Sequence, residues 1–211
     1  MTTYPISLPT SSQTQPTTTN FRIVRMVSQS TSIFTGAQQV FMNVGEYWEA
    51  EVTLPPMVHG GAREWISSLV SMRGIFGQMY LGDWDGRVAR GTAASSAGTP
   101  LVKGADQTGN VLLIDGATAS QTGYLKAGDY IQLGAGIDQR LHMVTADANS
   151  DGSGNVSLSI EPALRSSPAD NLAIVVANCK GVFRLSSNET GWNANAVSTY
   201  GLTFAVREYL L

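Results

Sequence analysis

The stretch Gly201-Leu202-Thr203-Phe204-Ala205-Val206-Arg207-Glu208-Tyr209-Leu210 decides how this chain is read. Its side chains alternate as they do in a half-buried β-strand. Similar runs stand far away, near the N-terminus, and a segment of different character lies between them. The pattern predicts one β-body made from both chain ends and interrupted by an insertion.

Moving outward, Tyr47-Trp48-Glu49-Ala50-Glu51-Val52-Thr53-Leu54 puts Trp48, Ala50, Val52 and Leu54 on one face. Glu49, Glu51 and Thr53 fall on the other, so the strand belongs to an antiparallel sheet wet on one side. Pro55-Pro56 ends it. Phe21–Val27 and Gln38–Asn43 read as two further strands, with Thr35-Gly36 as a turn signal before the second. Ala62 to Arg73 is the one good helix candidate, because Trp65, Ile66, Leu69, Val70 and Met72 recur at helical spacing. Gly74 follows as a C-terminal cap. Ile75–Leu81 returns to strand character and turns at Gly82-Asp83-Trp84-Asp85-Gly86. Ahead of all this, Thr2 to Asn20 is rich in Thr, Ser, Gln and Pro and reads as an extended arm that buries little.

Arg90 to Thr99 is small and flexible in composition and reads as a linker into the insertion. Five short strands with Gly/Asp turns follow, at 111–115, 125–133, 140–145, 156–160 and 172–176, which suit a small barrel or sandwich. Gly181–Leu185 and the final strand return to the first sheet. The expected fold is therefore mainly β: an antiparallel β-sandwich with one helix, interrupted by a small β-barrel-like insertion. Residues 1–20 form the arm, 21–95 plus 180–211 the sandwich with its helix near 62–73, and 96–179 the inserted barrel.

Composition narrows the function. Only 14% of the 211 residues are charged, against roughly 25% in an average soluble protein. Low charge with many Ser, Thr and Gly favours strands, turns and contacts with other subunits. The formal net charge is −3, from 13 basic and 16 acidic residues. With no Lys/Arg cluster, nucleic-acid recognition and an anionic membrane partner are not expected. No apolar run approaches the ~20 residues of a spanning helix, so membrane insertion is not expected either. The single Cys179 excludes a disulfide framework and a cysteine zinc site, and reads as a buried, inert thiol. The N-terminus lacks the basic start and apolar block of a signal peptide, so the expectation is a protein made and kept in the cytoplasm, or leaving it by lysis.

Each chemical motif has a bland alternative. Asp147-Ala148-Asn149-Ser150-Asp151-Gly152 opens like a calcium loop, but the twelfth position, where a bidentate Glu should sit, is Leu158. A polar hairpin turn explains the same residues. His59 and His142, the only histidines, lack partners: His142 reads as a solvated strand residue and His59 as a turn or cap. Asp83 and Asp85 flank Trp84, which suits sugar binding or glycoside hydrolysis, yet on a turn they read as turn formers. No Gly-x-Ser-x-Gly elbow and no phosphate loop is present. Asn188-Glu189-Thr190 matches a glycosylation acceptor, without a signal peptide to give it weight. The aromatic set Phe34, Phe41, Trp48, Trp65, Phe76, Tyr80 and Trp84 reads as core, with some members as interface anchors. No catalytic, cofactor-binding or metal-ligating residue is assigned; the chain is not expected to be an enzyme.

Two blocks carry a family resemblance. One runs from Ile33-Phe34-Thr35-Gly36-Ala37-Gln38-Gln39-Val40 through Trp48–Pro56 to Arg73-Gly74. The other runs from Phe183-Arg184-Leu185-Ser186-Ser187-Asn188-Glu189 to Trp192 and on to Gly201–Ala205. With the middle from Leu125–Tyr130 through Ile160–Arg165, they resemble the distal tail protein family of long-tailed bacteriophages and gene-transfer particles. The resemblance implies a virion structural protein: a homo-hexameric ring at the tail tip, assembled in the host cytoplasm. It would join the tail tube protein to the tail hub or baseplate protein and the receptor-binding apparatus. The inserted barrel would face outward, toward side fibres or a host-surface glycan. The arm and the loop from Gly82 to Thr99 are expected to make subunit or tube contacts. The competing reading is a carbohydrate-binding β-sandwich module presenting Trp84 and Asp83.

Overall fold

The computed structural model describes residues 3–9, 15–195 and 199–210. In chain order the strands are β1 (Ile6–Ser7), β2 (Thr18–Thr31), β3 (Gln38–Thr53), β4 (Met57–Val58), β5 (Met79–Leu81), β6 (Leu101–Val102), β7 (Gly109–Asp115), β8 (Tyr130–Leu133), β9 (Arg140–Val144), β10 (Val156–Leu164), β11 (Ile174–Val175), β12 (Gly181–Leu185), β13 (Asn193–Ala194), β14 (Thr199–Gly201) and β15 (Thr203–Glu208). One α-helix, α1 (His59–Ser71), lies between β4 and β5. Among the described residues strand makes up 43% and helix, 3-10 turns included, 13%, so the fold is mainly β, as a β-sandwich with one helix requires.

The first sheet runs β1-β5-β12-β15-β3-β2. The last strand pairs antiparallel with β3, from Thr203↔Thr53 to Arg207↔Glu49, so both chain ends share this sheet. The period-2 pattern does the sorting: Trp48, Ala50, Val52 and Leu54 are buried, while Glu51 is exposed and Glu49 pairs with Arg22 at 2.6 Å. Helix α1 covers the apolar face with Ala62, Trp65 and Leu69, joined by Met72 just after its last residue, all fully buried. Burying three large side chains of that kind is worth roughly 1.5–3 kcal/mol each, which explains a helix whose N-terminus has no side-chain cap. The helix begins three residues earlier than its apolar spacing predicts. It ends where Arg73 (φ 54°) and Gly74 (φ 66°) turn left-handed. A Cβ on Gly74 would meet Asn188 Oδ1 at 2.6 Å, so the turn there needs glycine.

Three further expectations change. Residues Gly74–Phe76 form a 3-10 turn rather than strand, leaving β5 with only three residues. The arm is anchored: Ile6 and Ser7 pair in parallel with Met79 and Tyr80, Leu8 is buried, and Tyr4 OH donates to Ser71 O at 2.5 Å. Its residues 10–14 lie outside the described residues. The segment 125–133 is strand only from Tyr130, because Leu125 instead bridges Ala148.

The second sheet runs β11-β8-β9-β10-β7-β6. Leu101 bridges Ala173, and Val102 N and Ile174 N donate to Leu172 O and Pro100 O at 2.9 and 3.0 Å. The two ends of the sheet thereby meet and nearly close it into a barrel, filled by Leu112, Ile114, Ile131, Val144, Leu158 and Ile160. The crossing segment is not a loose linker. Asp129, buried, accepts from the backbone N–H of Arg90 (2.7 Å), Gly91 (3.1 Å) and Lys126 (2.8 Å), and Arg90 also donates to Ala127 O. One carboxylate thus staples the segment that composition marks as flexible.

Candidate assembly interface

Residues 26–45, Met-Val-Ser-Gln-Ser-Thr-Ser-Ile-Phe-Thr-Gly-Ala-Gln-Gln-Val-Phe-Met-Asn-Val-Gly, contain no Asp, Glu, Lys or Arg. They form the far half of the β2–β3 hairpin, paired in register from Met26↔Asn43 to Thr31↔Gln38. Sequence patterning splits this hairpin into short strands, but the two strands run on to Thr31 and begin at Gln38. The second continues as one 16-residue strand into the sheet. Every residue from Arg25 to Asn43 is exposed, so the ribbon stands clear of the body on both faces.

The turn at its end is closed by backbone bonds from Ser32 N to Ala37 O (2.8 Å) and from Gly36 N to Ser32 O (2.9 Å). Ser32 Oγ accepts from Phe34 N and Thr35 N at 3.4 and 3.3 Å, and Gly36 takes the left-handed φ of 69° that the turn needs. This ordered turn presents Ile33 and Phe34, 89% and 92% exposed. Phe34 and Phe41, expected among the core aromatics, are surface residues, whereas Trp48 and Trp65 are core.

Among the described residues both long edges of the ribbon are open. β2 is the end strand of its sheet, and β15 covers β3 only from Glu49 to Thr53. Among the described residues, no strand pairs with β3 from Gln38 to Trp48 except β2. Cross-strand partners share a face, so Val27, Val40 and Met42 lie together on one side, and Met26 and Phe41 on the other. Native proteins protect exposed edges with charge, proline or bulges. Here a register shift occurs only at the base, between Val24 and Met26. A two-stranded ribbon alone is marginally stable in water.

The residues singled out for chemistry fall elsewhere and do not converge. Asp147 Oδ1 accepts from Ala127 N (2.9 Å) and Asn149 Oδ1 from Gly123 N (2.6 Å). Asp151 takes Ser153 N, Asn155 N and the Asn155 amide at 2.7–2.8 Å, bonds that lower its pKa. These oxygens cap turns, and no cluster of three metal-binding side chains occurs among the described residues. His142 is not solvated: it is buried, and its Nδ1 donates to Pro162 O at 2.8 Å. Burial, the largest influence, lowers its pKa. Strand β9 sits between β8 and β10 and is covered on both faces, a tertiary effect that alternation does not reveal. His59 is exposed, 3.2 Å from Tyr200 OH. Cys179 is buried as expected, and burial pushes its thiol up to about 12.

Asp83 and Trp84 line a cleft of about 170 Å³ with Tyr80, Arg87 and Lys180. Asp83 accepts from Asp85 N (3.1 Å) and Tyr130 OH (3.2 Å), and the Arg87 guanidinium lies 5.0 Å over the Trp84 ring. A sugar stacking on that face of Trp84 would have to displace Arg87. No helix among the described residues is long and apolar enough to cross a membrane. No protein-family model matches the chain, and no curated protein sequence matches it.

Proposed function

We propose that this chain is a structural subunit of a ring at the tip of a phage tail, joining the tail tube to the hub and receptor-binding apparatus. The observation that carries this reading is the uncharged ribbon, with two open edges and exposed apolar residues on both faces. Its outer β2 edge and its free β3 edge differ and lie on opposite sides. Pairing one copy's β2 edge with the next copy's β3 edge is a head-to-tail contact, and such contacts close into rings when the rotation allows. Pairing would satisfy the open backbone groups and cover the apolar side chains together. The number of copies, six, comes from the family resemblance. The nearly closed second sheet would project from the ring toward side fibres or the host surface.

The test is the mass of the full chain in solution, followed by images of the particles. Closed rings of about 6 × 22.4 kDa are expected. A particle of 22.4 kDa at every accessible concentration would contradict the reading.

A further inference from the structure

The two six-stranded sheets meet along a charged seam in which Glu46, Glu208 and His142 are buried and Arg25, Glu161 and Arg165 reach the solvent. The first sheet brings Arg25 from β2, Glu46 from β3 and Glu208 from β15. The second brings Arg140 and His142 from β9, Glu161 from β10, and Arg165 just after it. Arg165 forks onto Glu208, with Nη1 and Nη2 at 3.1 and 3.0 Å, and also donates to the Glu46 carbonyl. Glu208 accepts Trp48 N–H at 3.0 Å as well, so this carboxylate is fully served. Trp48 Nε1 completes the contact by donating to Leu141 O at 2.9 Å.

The neighbouring pair is different. Arg25 Nη1 lies 3.0 Å from Glu46 Oε1 and 3.2 Å from Glu161 Oε2, so one nitrogen serves two carboxylates. The Glu46 side chain is 4% exposed, and among the described residues its Oε2 has no hydrogen-bond donor. An ionised oxygen buried without a donor is unfavourable, and two carboxylates beside one guanidinium leave a negative charge uncompensated. Neither cation from β9 and the segment after β10 removes it. Arg165 is engaged by Glu208, and Arg140 Nη1 donates to the carbonyls of Ile137 and Gln139. His142 has spent Nδ1 on Pro162 O, and burial favours its neutral ring. A proton on Glu46 Oε2 would cure both defects: it would turn that oxygen into a donor, with the Glu161 carboxylate, held by the same Arg25 nitrogen, as its acceptor.

We propose that Glu46 and Glu161 share one proton across the seam, and that this proton clamps the barrel-like sheet to the base of the ribbon. The clamp is independent of the ring assignment. Burial first, and then the hydrogen bond to Glu161, raise the Glu46 pKa, while Arg25 opposes them. A carboxyl raised on folding binds its proton more tightly in the closed seam than in the open one. The clamp is therefore at full strength below the ordinary carboxylate range and is lost as pH rises through the raised value.

Hydrogen exchange of the seam amides, with Trp48 N–H as the principal probe, tests this in the full chain between pH 5 and pH 9, after correction for intrinsic rates. In the wild type the open population should rise by up to about tenfold per pH unit until Glu46 is fully ionised, and then level off. Glu46→Gln carries a permanent donor and should be flat across the range, and better protected than the wild type at pH 8.5. Glu161→Gln removes the second carboxylate but not the burial, so its rise should end at a lower pH than that of the wild type. A wild-type profile surviving in both variants would overturn the proposal. If neither variant folds, a ¹³C titration of the wild-type glutamate side chains decides: Glu46 titrating in the ordinary carboxylate range refutes the shared proton.

Discussion

Placing lysines on the apolar face of the ribbon, Val40→Lys with Met42→Lys, should abolish assembly while leaving the subunit folded. Val27, Val40 and Met42 are 49%, 60% and 59% exposed in the single chain. Fully burying side chains of this kind is worth roughly 1.5–3 kcal/mol each. Covering the exposed half of the two substituted residues is therefore worth about 1–1.5 kcal/mol each, or about 2–3 kcal/mol per interface. Lysine removes that gain and adds the cost of desolvating an ammonium at a sheet edge. Losing about 3 kcal/mol weakens each contact by roughly 100-fold. Because a ring repeats its contact at every junction, the loss accumulates around it. The residues are exposed and make no core contact, so monomer stability should move by less than about 0.5 kcal/mol. Sedimentation over a concentration series, with thermal melting as the folding control, reads both quantities. A variant that assembles like the wild type, or one that loses assembly only because it has unfolded, would refute this use of the ribbon.

Other regions give independent checks. Asp129→Ala removes the acceptor for three backbone N–H groups, and should cost on the order of 3 kcal/mol in stability with new proteolytic cutting near residues 90–93; an unchanged melt would show that the staple is dispensable. Millimolar calcium, or its chelation, should leave the melting temperature unchanged, because the oxygens of the Asp147–Asp151 turn already cap backbone groups; a rise that grows with calcium concentration would restore the metal reading. Cys179, with its thiol pushed up to about 12 by burial, should react with thiol reagents at pH 8 only when the chain unfolds. Rapid labelling of the native protein would contradict its buried placement.

Much of the architecture could be read from local pattern. Trp48, Ala50, Val52 and Leu54 against Glu49, Glu51 and Thr53 identify a one-sided strand, and Trp65, Leu69 and Met72 identify the face of the helix. The final strand rejoins the first sheet at Phe204↔Val52, a pairing foreshadowed by two matching period-2 patterns at opposite ends of the chain. What escaped the pattern depends on contacts distant in sequence. His142 alternates like a surface residue but lies under Pro162, and Arg90–Gly91 looks like a linker until Asp129 folds onto it. The seam pair Glu46 and Glu161 is separated by a whole strand layout, so nothing local marks it.

The ribbon was half legible. Residues 26–45 are charge-free, a signal present in the sequence, but alternating apolar and polar residues made Phe34 and Phe41 resemble core. Only the open edges and two-sided exposure distinguish this ribbon from a core strand.

Hydrogen exchange of residues 26–31 and 38–43 across a dilution series tests the central claim most directly. If the ribbon edges pair between copies, these amides become protected as the concentration rises, in step with the growth in particle mass. Protection that is absent at every concentration, or that forms without any change in mass, would mean the ribbon does not join one copy to the next.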